Sequence, residues 1–430
     1  MGWNLALVAA AVLAVVAVSR RLSGTPVTAQ MVFLALGVLL GAEALDGIDL
    51  APAGGAVRTL AEATLAVVLF ADASRINLRA LREDHAVPMR LLGIGLPLTI
   101  ALGAALAALM FGEFSLGEAA ILAIVLAPTD AALGQAVVSD PRLPLRVRQG
   151  LNVESGLNDG ICVPLLFVAI AVADVESSIT SGHSAISVAA QEIGYGLLGG
   201  AGAGVLTGAI VLISGRRGLI EPVWRQVAPV AGAALAYGLA VGLGGSGFIA
   251  AFTAGLCFGW LLKGDTAEIG RFNEELGDLL NGVTFLVFGA VLLGPALGDL
   301  TWSIAAYALL SLTLARMLPV ALALMGTRTR APTVALMGWF GPRGLASIVF
   351  ALIVVQEANL PHGNTIVLTA YATVGLSTLA HGMSAAPLVG RYARWLAAHP
   401  KEHLSATEVA PAPELRARGA RHLPANSARR

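Results

Sequence analysis

Residues 152–160 read Asn152-Val153-Glu154-Ser155-Gly156-Leu157-Asn158-Asp159-Gly160, inside a run that is otherwise apolar from about residue 149 to 173. Two carboxylates and two carboxamides in a stretch long enough to cross a bilayer require an explanation. Charge at membrane depth is costly, so it usually faces a water-filled cavity or a partner and marks an ion or proton pathway. A helical spacing of four puts Ser155 and Asp159 on one face, with Glu154 and Asn158 on the face beside it. Hard cations are held by oxygens, and a carboxylate in low dielectric takes up protons more readily than one in water. The same group can therefore hold either a cation or a proton. The plainer alternative is that Glu154 and Asp159 are neutralised by distant arginines and only join helices. It accounts for one carboxylate and leaves the cluster unexplained.

The rest of the chain is a matching environment. Of 430 residues, 57% are hydrophobic and only 13% charged, with a mean hydropathy of +0.79. This is the composition of a helical integral membrane protein, with the lipid bilayer as its surroundings. The 27 basic and 27 acidic residues cancel, so the total carries no nucleic-acid footprint. Cys162 and Cys257 both fall in apolar runs, which excludes a disulfide framework or a zinc site.

Apolar runs recur near residues 3–19, 26–45, 56–72, 91–111, 118–137, 149–173, 185–213, 226–243, 246–262, 276–293, 302–325, 332–355 and 364–388. That makes about thirteen spans for a window of roughly 20 residues. Arg20 and Arg21 follow the first run rather than precede it, which argues against a cleaved signal peptide. Arginines then gather in alternate connections: Arg75, Arg79, Arg82 and Arg90; Arg142, Arg146 and Arg148; Arg216, Arg217 and Arg225; Lys263 and Arg271; Arg328 and Arg330. The opposite connections carry Asp46, Asp49, Glu113, Asp174, Glu176, Asp299 and Glu357, with Arg58 as the exception. Under the positive-inside rule this expects the N-terminus outside and the C-terminus in the cytoplasm. Residues 1–395 read as the membrane domain and 396–430 as a cytoplasmic, disordered tail.

Two spans are interrupted. The fifth contains Ala127-Pro128-Thr129-Asp130 and the twelfth Gly341-Pro342-Arg343-Gly344. A broken helix at membrane depth is tolerated where it lines a cavity or is buried in protein. Asp130 reads equally as a cap for the proline break or as a direct ion contact. At about 1.5 Å per residue, Asp159 and Arg343 each sit roughly 15–17 Å from the cytoplasmic end of their spans, near the bilayer centre. The interrupted spans lie an odd number of spans apart, so they cross in opposite directions. Residues of about 1–173 and 226–388 then form two inverted repeats, joined by a linking helix at about 185–213, and such paired interruptions point to a transporter's binding site. Outliers elsewhere are Glu62 and Asp72 in the third span, Glu192, Asn281 and Arg316. Asp72 suits either an interfacial position or a water-filled mouth. Glu62 and Arg316 read as structural, and His183, His362 and His381 as solvated residues in or near loops.

In these motifs the chain resembles the monovalent cation/proton antiporters of the NhaP and eukaryotic Na⁺/H⁺ exchanger type. The resemblance covers nearly all residues to about 390. It rests on Ala127-Pro128-Thr129-Asp130, Glu154-Ser155-Gly156-Leu157-Asn158-Asp159-Gly160, Gly244-Gly245-Ser246-Gly247-Phe248 with Ala254-Gly255-Leu256, and Gly341-Pro342-Arg343-Gly344. It implies an all-α polytopic fold of the NhaA-like kind, with crossed broken helices in spans five and twelve. It also implies that Asp159 carries cation and proton in turn, and that Ser155 and the Thr129 carbonyl complete the Na⁺ shell. Asp130 would balance the helix dipoles at the crossing, and Glu154 would pair with Arg343 while helping to fix Asn158. The family's acidic residue in the third span corresponds to Asp72, although Phe70-Ala71-Asp72-Ala73-Ser74-Arg75 departs from the commoner Glu-Gly pattern. The Asn158-Asp159 pair resembles the electroneutral branch, and the family works as a homodimer.

The expectation is thus a secondary antiporter exchanging Na⁺, or Li⁺, for H⁺ across the plasma membrane, with no cofactor and no enzymatic activity. Its nearest competitor is K⁺/H⁺ exchange, since selectivity depends on cavity size and rigidity. An intramembrane aspartyl protease would place an aspartate in Gly-x-Gly-Asp, and neither Asp130 nor Asp159 has that context. A channel needs a continuous polar pore, whereas these polar residues cluster at one depth. ATP-driven transport would need a Gly-x-x-x-x-Gly-Lys-Ser/Thr loop, which the chain lacks.

Overall fold

The computed structural model describes residues 2–22, 25–45, 47–48, 55–76, 86–177, 182–262, 269–357, 360–399 and 404–409. Arg79, Arg82, Asp46, Asp49, Lys263 and the tail from residue 410 lie outside the described residues, as do the side chains of Asp174, Glu176, His183 and Glu357. All regular structure among the described residues is helical. Among the described residues, seven helices are long and apolar enough to cross a membrane, and four shorter apolar helices accompany them. The chain is a multi-pass membrane protein.

In chain order the elements are α1 (Gly2–Leu22), α2 (Ala29–Leu40), α3 (Gly55–Ser74) and α4 (Ala86–Met110, with a π turn at Leu91–Gly95). Then come α5 (Leu116–Val125), the short α6 (Gln135–Val138), α7 (Leu145–Ser177), α8 (Gly182–Arg216), α9 (Pro222–Gly242) and α10 (Gly247–Leu261). The last are α11 (Arg271–Val287, continuing through a π turn at Phe288–Leu293), α12 (Trp302–Leu312), α13 (Leu314–Ala323), α14 (Ala331–Trp339), α15 (Leu345–Glu357), α16 (Gly363–Ala398) and α17 (Ala406–Val409).

Local chemistry explains where these helices start. Thr28, Ser246 and Thr301 each cap a first turn with a side-chain oxygen, and Ser115 with Glu118 forms a reciprocal capping box at α5. Before α10, Gly244 adopts φ +77°, a conformation open to glycine at little cost. Small residues then let the helices approach closely in the absence of a hydrophobic drive between them. A β-carbon on Gly204 of α8 would lie 2.4 Å from the Ala254 carbonyl oxygen of α10, and one on Gly255 would lie 2.5 Å from that of Phe70 in α3. α10 is thereby clamped between α8 and α3.

The tail departs from the expected disorder where it is described. α16 runs on to Ala398, past the expected boundary at 395. Beyond it, Glu408 accepts hydrogen bonds from the Arg330 backbone N–H at 2.9 Å and the Thr333 hydroxyl at 2.8 Å, docking α17 on the start of α14. Burial works to raise the Glu408 carboxyl, but donors on Ser405, Arg330 and Thr333 outweigh it and hold the group below its ordinary value of 4.5. Because the shift is downward, the docking contribution is present above that ordinary value and fades as pH falls through the lowered one.

The glycine contact of α10 gives a direct test. Gly255→Val should overpack the α3 contact and cost about 1–3 kcal/mol, lowering the melting temperature of the detergent-purified protein; an unchanged melt would mean that α3 and α10 are not in close contact.

Candidate functional site

The expected breaks in spans five and twelve are both present, and they meet. The fifth span is helical to Val125, loses regular structure at Ala127–Asp130 and turns through 131–134 into α6. The twelfth is helical to Trp339, without regular structure from Phe340 to Gly344 and helical again from Leu345. Proline explains each interruption, since Pro128 and Pro342 can donate no backbone hydrogen bond.

The freed backbone groups of one break are satisfied by the other. Asp130 N–H donates to the Pro342 carbonyl at 2.7 Å. The Asp130 carboxylate accepts from Leu345 N–H at 3.1 Å with one oxygen, and from Ala132 N–H at 2.7 Å and Leu133 N–H at 3.4 Å with the other. It thus sits at the start of α15, where negative charge is favoured, and on the turn that leads into α6. A β-carbon on Gly344 would fall 2.1 Å from Asp130 Oδ2, so glycine is what admits the carboxylate. Arg343, fully buried, donates through Nη1 to the carbonyls of Ala127 at 3.0 Å and Pro128 at 3.3 Å, and its N–H donates to Ser377 Oγ at 2.7 Å.

The α7 motif packs against this crossing. Ser155 Oγ donates to the Thr129 carbonyl, and Asn158 Nδ2 donates to Thr129 Oγ1 at 2.8 Å. Asp159 is 8% exposed and lines a small cavity with Asp72, Asp130, Asn281, Val68, Ala131 and Leu345. The cavity has room, about 10 Å³, for the centre of one water-sized body. Ser155 and Thr129 lie beside it without forming its lining. Among the described residues, no three His, Cys, Asp or Glu side chains converge closely enough to hold a metal ion. Any cation seated here must also draw on neutral oxygens.

The expected pairing of Glu154 with Arg343 is wrong. Glu154 instead forms a two-pronged ion pair with Arg316 of α13, both residues buried, with Arg316 Nη2 at 2.7 Å from Oε2 and Nη1 on Oε1. Arg343 is taken up by carbonyls, and Asn158 is held by Thr129 rather than by Glu154. The two residues read as structural, Glu62 and Arg316, have separate partners. Glu62 bonds Arg58 at 2.5 Å and accepts from Tyr237 at 2.9 Å, which accounts for the arginine that broke the charge alternation. Asp72 lies 3.6 Å from Arg75, which also reaches Glu274 at 2.7 Å, yet it borders the cavity as the water-filled-mouth reading requires.

His381 is not a loop residue. It is buried within α16, stacked on Trp339 at 5.0 Å between ring centroids, with Nδ1 2.9 Å from the Ser377 carbonyl and Nε2 2.9 Å from that of Trp339. His362 does lie in a connection, where its N–H donates to Glu118 at 2.9 Å. Asn281, a polar outlier by sequence, belongs to the cavity wall; it shares a predominantly apolar span with Asp278 and Thr284, so its polarity alone does not mark it for the site.

Comparisons with known proteins agree with this geometry. Residues 7–391 match the family described as sodium/hydrogen exchanger, transmembrane. The chain is 28% identical over 379 residues to the K⁺/H⁺ antiporter NhaP2 of Shewanella oneidensis, a match covering 85% of this chain and 62% of that protein. It is 29% identical over 432 residues to an uncharacterised Na⁺/H⁺ exchanger of Mycobacterium bovis, covering 90% of this chain and 74% of that one. Its fold is similar to the solved structure of the sodium proton antiporter MjNhaP1 from Methanocaldococcus jannaschii, with a TM-score of 0.69 at 19% identity, covering 89% of this chain and 98% of that one. The fold is the two-repeat architecture with crossed broken helices that the sequence implied.

The buried ion pair is open to a double-mutant test. Arg316→Ala and Glu154→Ala should each destabilise the protein by about 3–5 kcal/mol, because each strands a buried charge. The double substitution should cost clearly less than their sum; simple additivity in thermal melts would show that the two residues do not pair.

Proposed function

The chain belongs to the sodium/hydrogen exchanger transmembrane family, and from that premise we propose that it is a secondary-active antiporter, a transporter rather than an enzyme, exchanging a monovalent cation for H⁺. Na⁺ is the proposed cation, with Li⁺ as a second substrate. The observation that carries the reading is the small cavity at the crossing of the two breaks, with buried Asp159 in its wall.

The mechanism follows from charge balance. A carboxylate closed off from water is costly unless neutralised, and either H⁺ or a monovalent cation neutralises it. Asp159 is therefore never left empty while buried, and the two ligands compete for it. A single exchanging carboxylate makes the cycle one cation for one proton, without net charge movement. Asp159 supplies the charged ligand, while Ser155, the Thr129 carbonyl and Asp130 supply further oxygens, and Asp72 leads toward the aqueous mouth. Asn158 orients Thr129, Arg343 holds the break, and Glu154 is kept from the cation by Arg316. No cofactor is needed, because the ion gradients drive the exchange.

Alternating access arises as the bundle holding the crossing moves against the remaining helices of a homodimer in a bacterial or archaeal inner membrane. The N-terminus then lies outside and the C-terminus in the cytoplasm, with the transport domain closing on α16 at Ala398 and the segment after it as a cytoplasmic extension. K⁺/H⁺ exchange is the second reading, supported by the name of the Shewanella relative. The chain spans 62% of that relative's length.

The reading is checked in proteoliposomes by collapse of a preformed pH gradient on adding Na⁺, Li⁺ or K⁺. Wild type should dissipate the gradient with Na⁺ at half-saturation below that for K⁺, and Asp159→Asn should abolish the response while remaining folded. Exchange retained by Asp159→Asn would overturn its carrier role, and silence of the wild type with every cation would overturn antiport.

A further inference from the structure

The cavity wall contains one polar group that the exchange chemistry above leaves unused. Asn281 projects from α11 and is 1% exposed, and its amide oxygen Oδ1 has no hydrogen-bond partner in the protein. Buried acceptors are nearly always satisfied, so each exception needs an explanation. The Asn158 amide oxygen on α7 and the Ser347 hydroxyl on α15 share the condition, but neither residue lines the cavity. One turn further along α11, the Thr284 hydroxyl is paired with that of Thr64 at 3.1 Å.

The orientation of Asn281 is held by packing. A β-carbon on the next residue, Gly282, would lie 2.5 Å from the Phe33 ring of α2, and Phe285 and Leu286 are fully buried. α11 cannot roll about its axis without losing that fit, so the carboxamide is kept facing the cavity. An amide oxygen is a hard, neutral donor, the type that completes the shell of a small cation without adding charge. The cavity needs such a donor, since the acidic groups around it do not converge closely enough to hold a metal ion by themselves.

We propose that Asn281 supplies a neutral oxygen ligand to the transported cation through Oδ1 and is a determinant of which cation the site prefers. The proposal rests on the antiporter reading of this cavity. Smaller cations bind their water more tightly and demand more replacement oxygen on entering the site. Removing the amide therefore penalises Li⁺ and Na⁺ more than K⁺. Because Asn281 does not titrate, its loss leaves the carrier carboxylate and its proton competition in place.

The test compares wild type, Asn281→Ala, Asn281→Ser and Asp159→Asn as purified full-length protein. Two readouts are taken: the concentration of Na⁺, Li⁺ or K⁺ that half-maximally raises the melting temperature, and the apparent KM for each cation in proteoliposomes. For Asn281→Ala, both should rise about tenfold for Na⁺ and less for K⁺, the scale of one lost contact to a charged group. Asn281→Ser, which keeps an oxygen, should fall between, and it carries the test if the alanine variant does not fold. Unchanged half-saturation and unchanged cation order in a folded variant would overturn the proposal. So would a lower melting temperature with cation affinity intact, since that marks a purely structural residue. If no cation stabilises or is exchanged by the wild type, the antiporter reading falls and this proposal with it.

Discussion

The structure depends on one constraint: backbone groups released by a broken helix inside a bilayer find no water to satisfy them. Two breaks create such groups at several helix ends, and the chain closes the account by crossing them. The Asp130 carboxylate serves the start of α15 and the turn before α6. The ends are served by positive or donor groups, with the Arg343 guanidinium on the Ala127 and Pro128 carbonyls and a His381 ring nitrogen beside the Trp339 carbonyl. Asp130 and Arg343 are thereby placed with the sign the helix dipole favours, and His381 contributes a ring nitrogen at the third end. A cavity bounded by carboxylates survives at the crossing because these groups replace solvent there.

α7 distributes its own charges by a similar logic. Glu154 and Asp159 are five residues apart, about 140° around a helix of 3.6 residues per turn. One carboxylate therefore meets Arg316 on α13 while the other meets the cavity. The first is held in a buried ion pair and the second lines the cavity. The helix face each occupies thus separates a carboxylate tied to an arginine from the one proposed to exchange its ligand.

This pattern also explains what could be read from the residues alone. The prolines of Ala127-Pro128-Thr129-Asp130 and Gly341-Pro342-Arg343-Gly344 announce broken helices, and their order along the chain implies that the breaks oppose each other. Hydropathy reports depth and carries little about direction around a helix axis. Arg316 and Arg343 are therefore interchangeable by sequence as partners for Glu154, and the true contact spans 162 positions. His381 was misread because the polar residues around it mask a helix that runs to Ala398. Asn281 was legible as an anomaly and not as a member of the site, since one carboxamide in an apolar span suits many roles.

The sharing of Asp130 between the breaks has a mechanical consequence. Its amide and both its carboxylate oxygens bind backbone from the two sides of the crossing, while Arg343 reaches back across it. Sliding one broken helix past the other would tear several of these bonds at once in a medium that offers no substitutes. The crossing therefore behaves as a weld rather than a hinge. In the proposed exchange, the travel that delivers Asp159 from one aqueous face to the other would be taken up at its borders with neighbouring helices, with the ion carried as freight inside a rigid block.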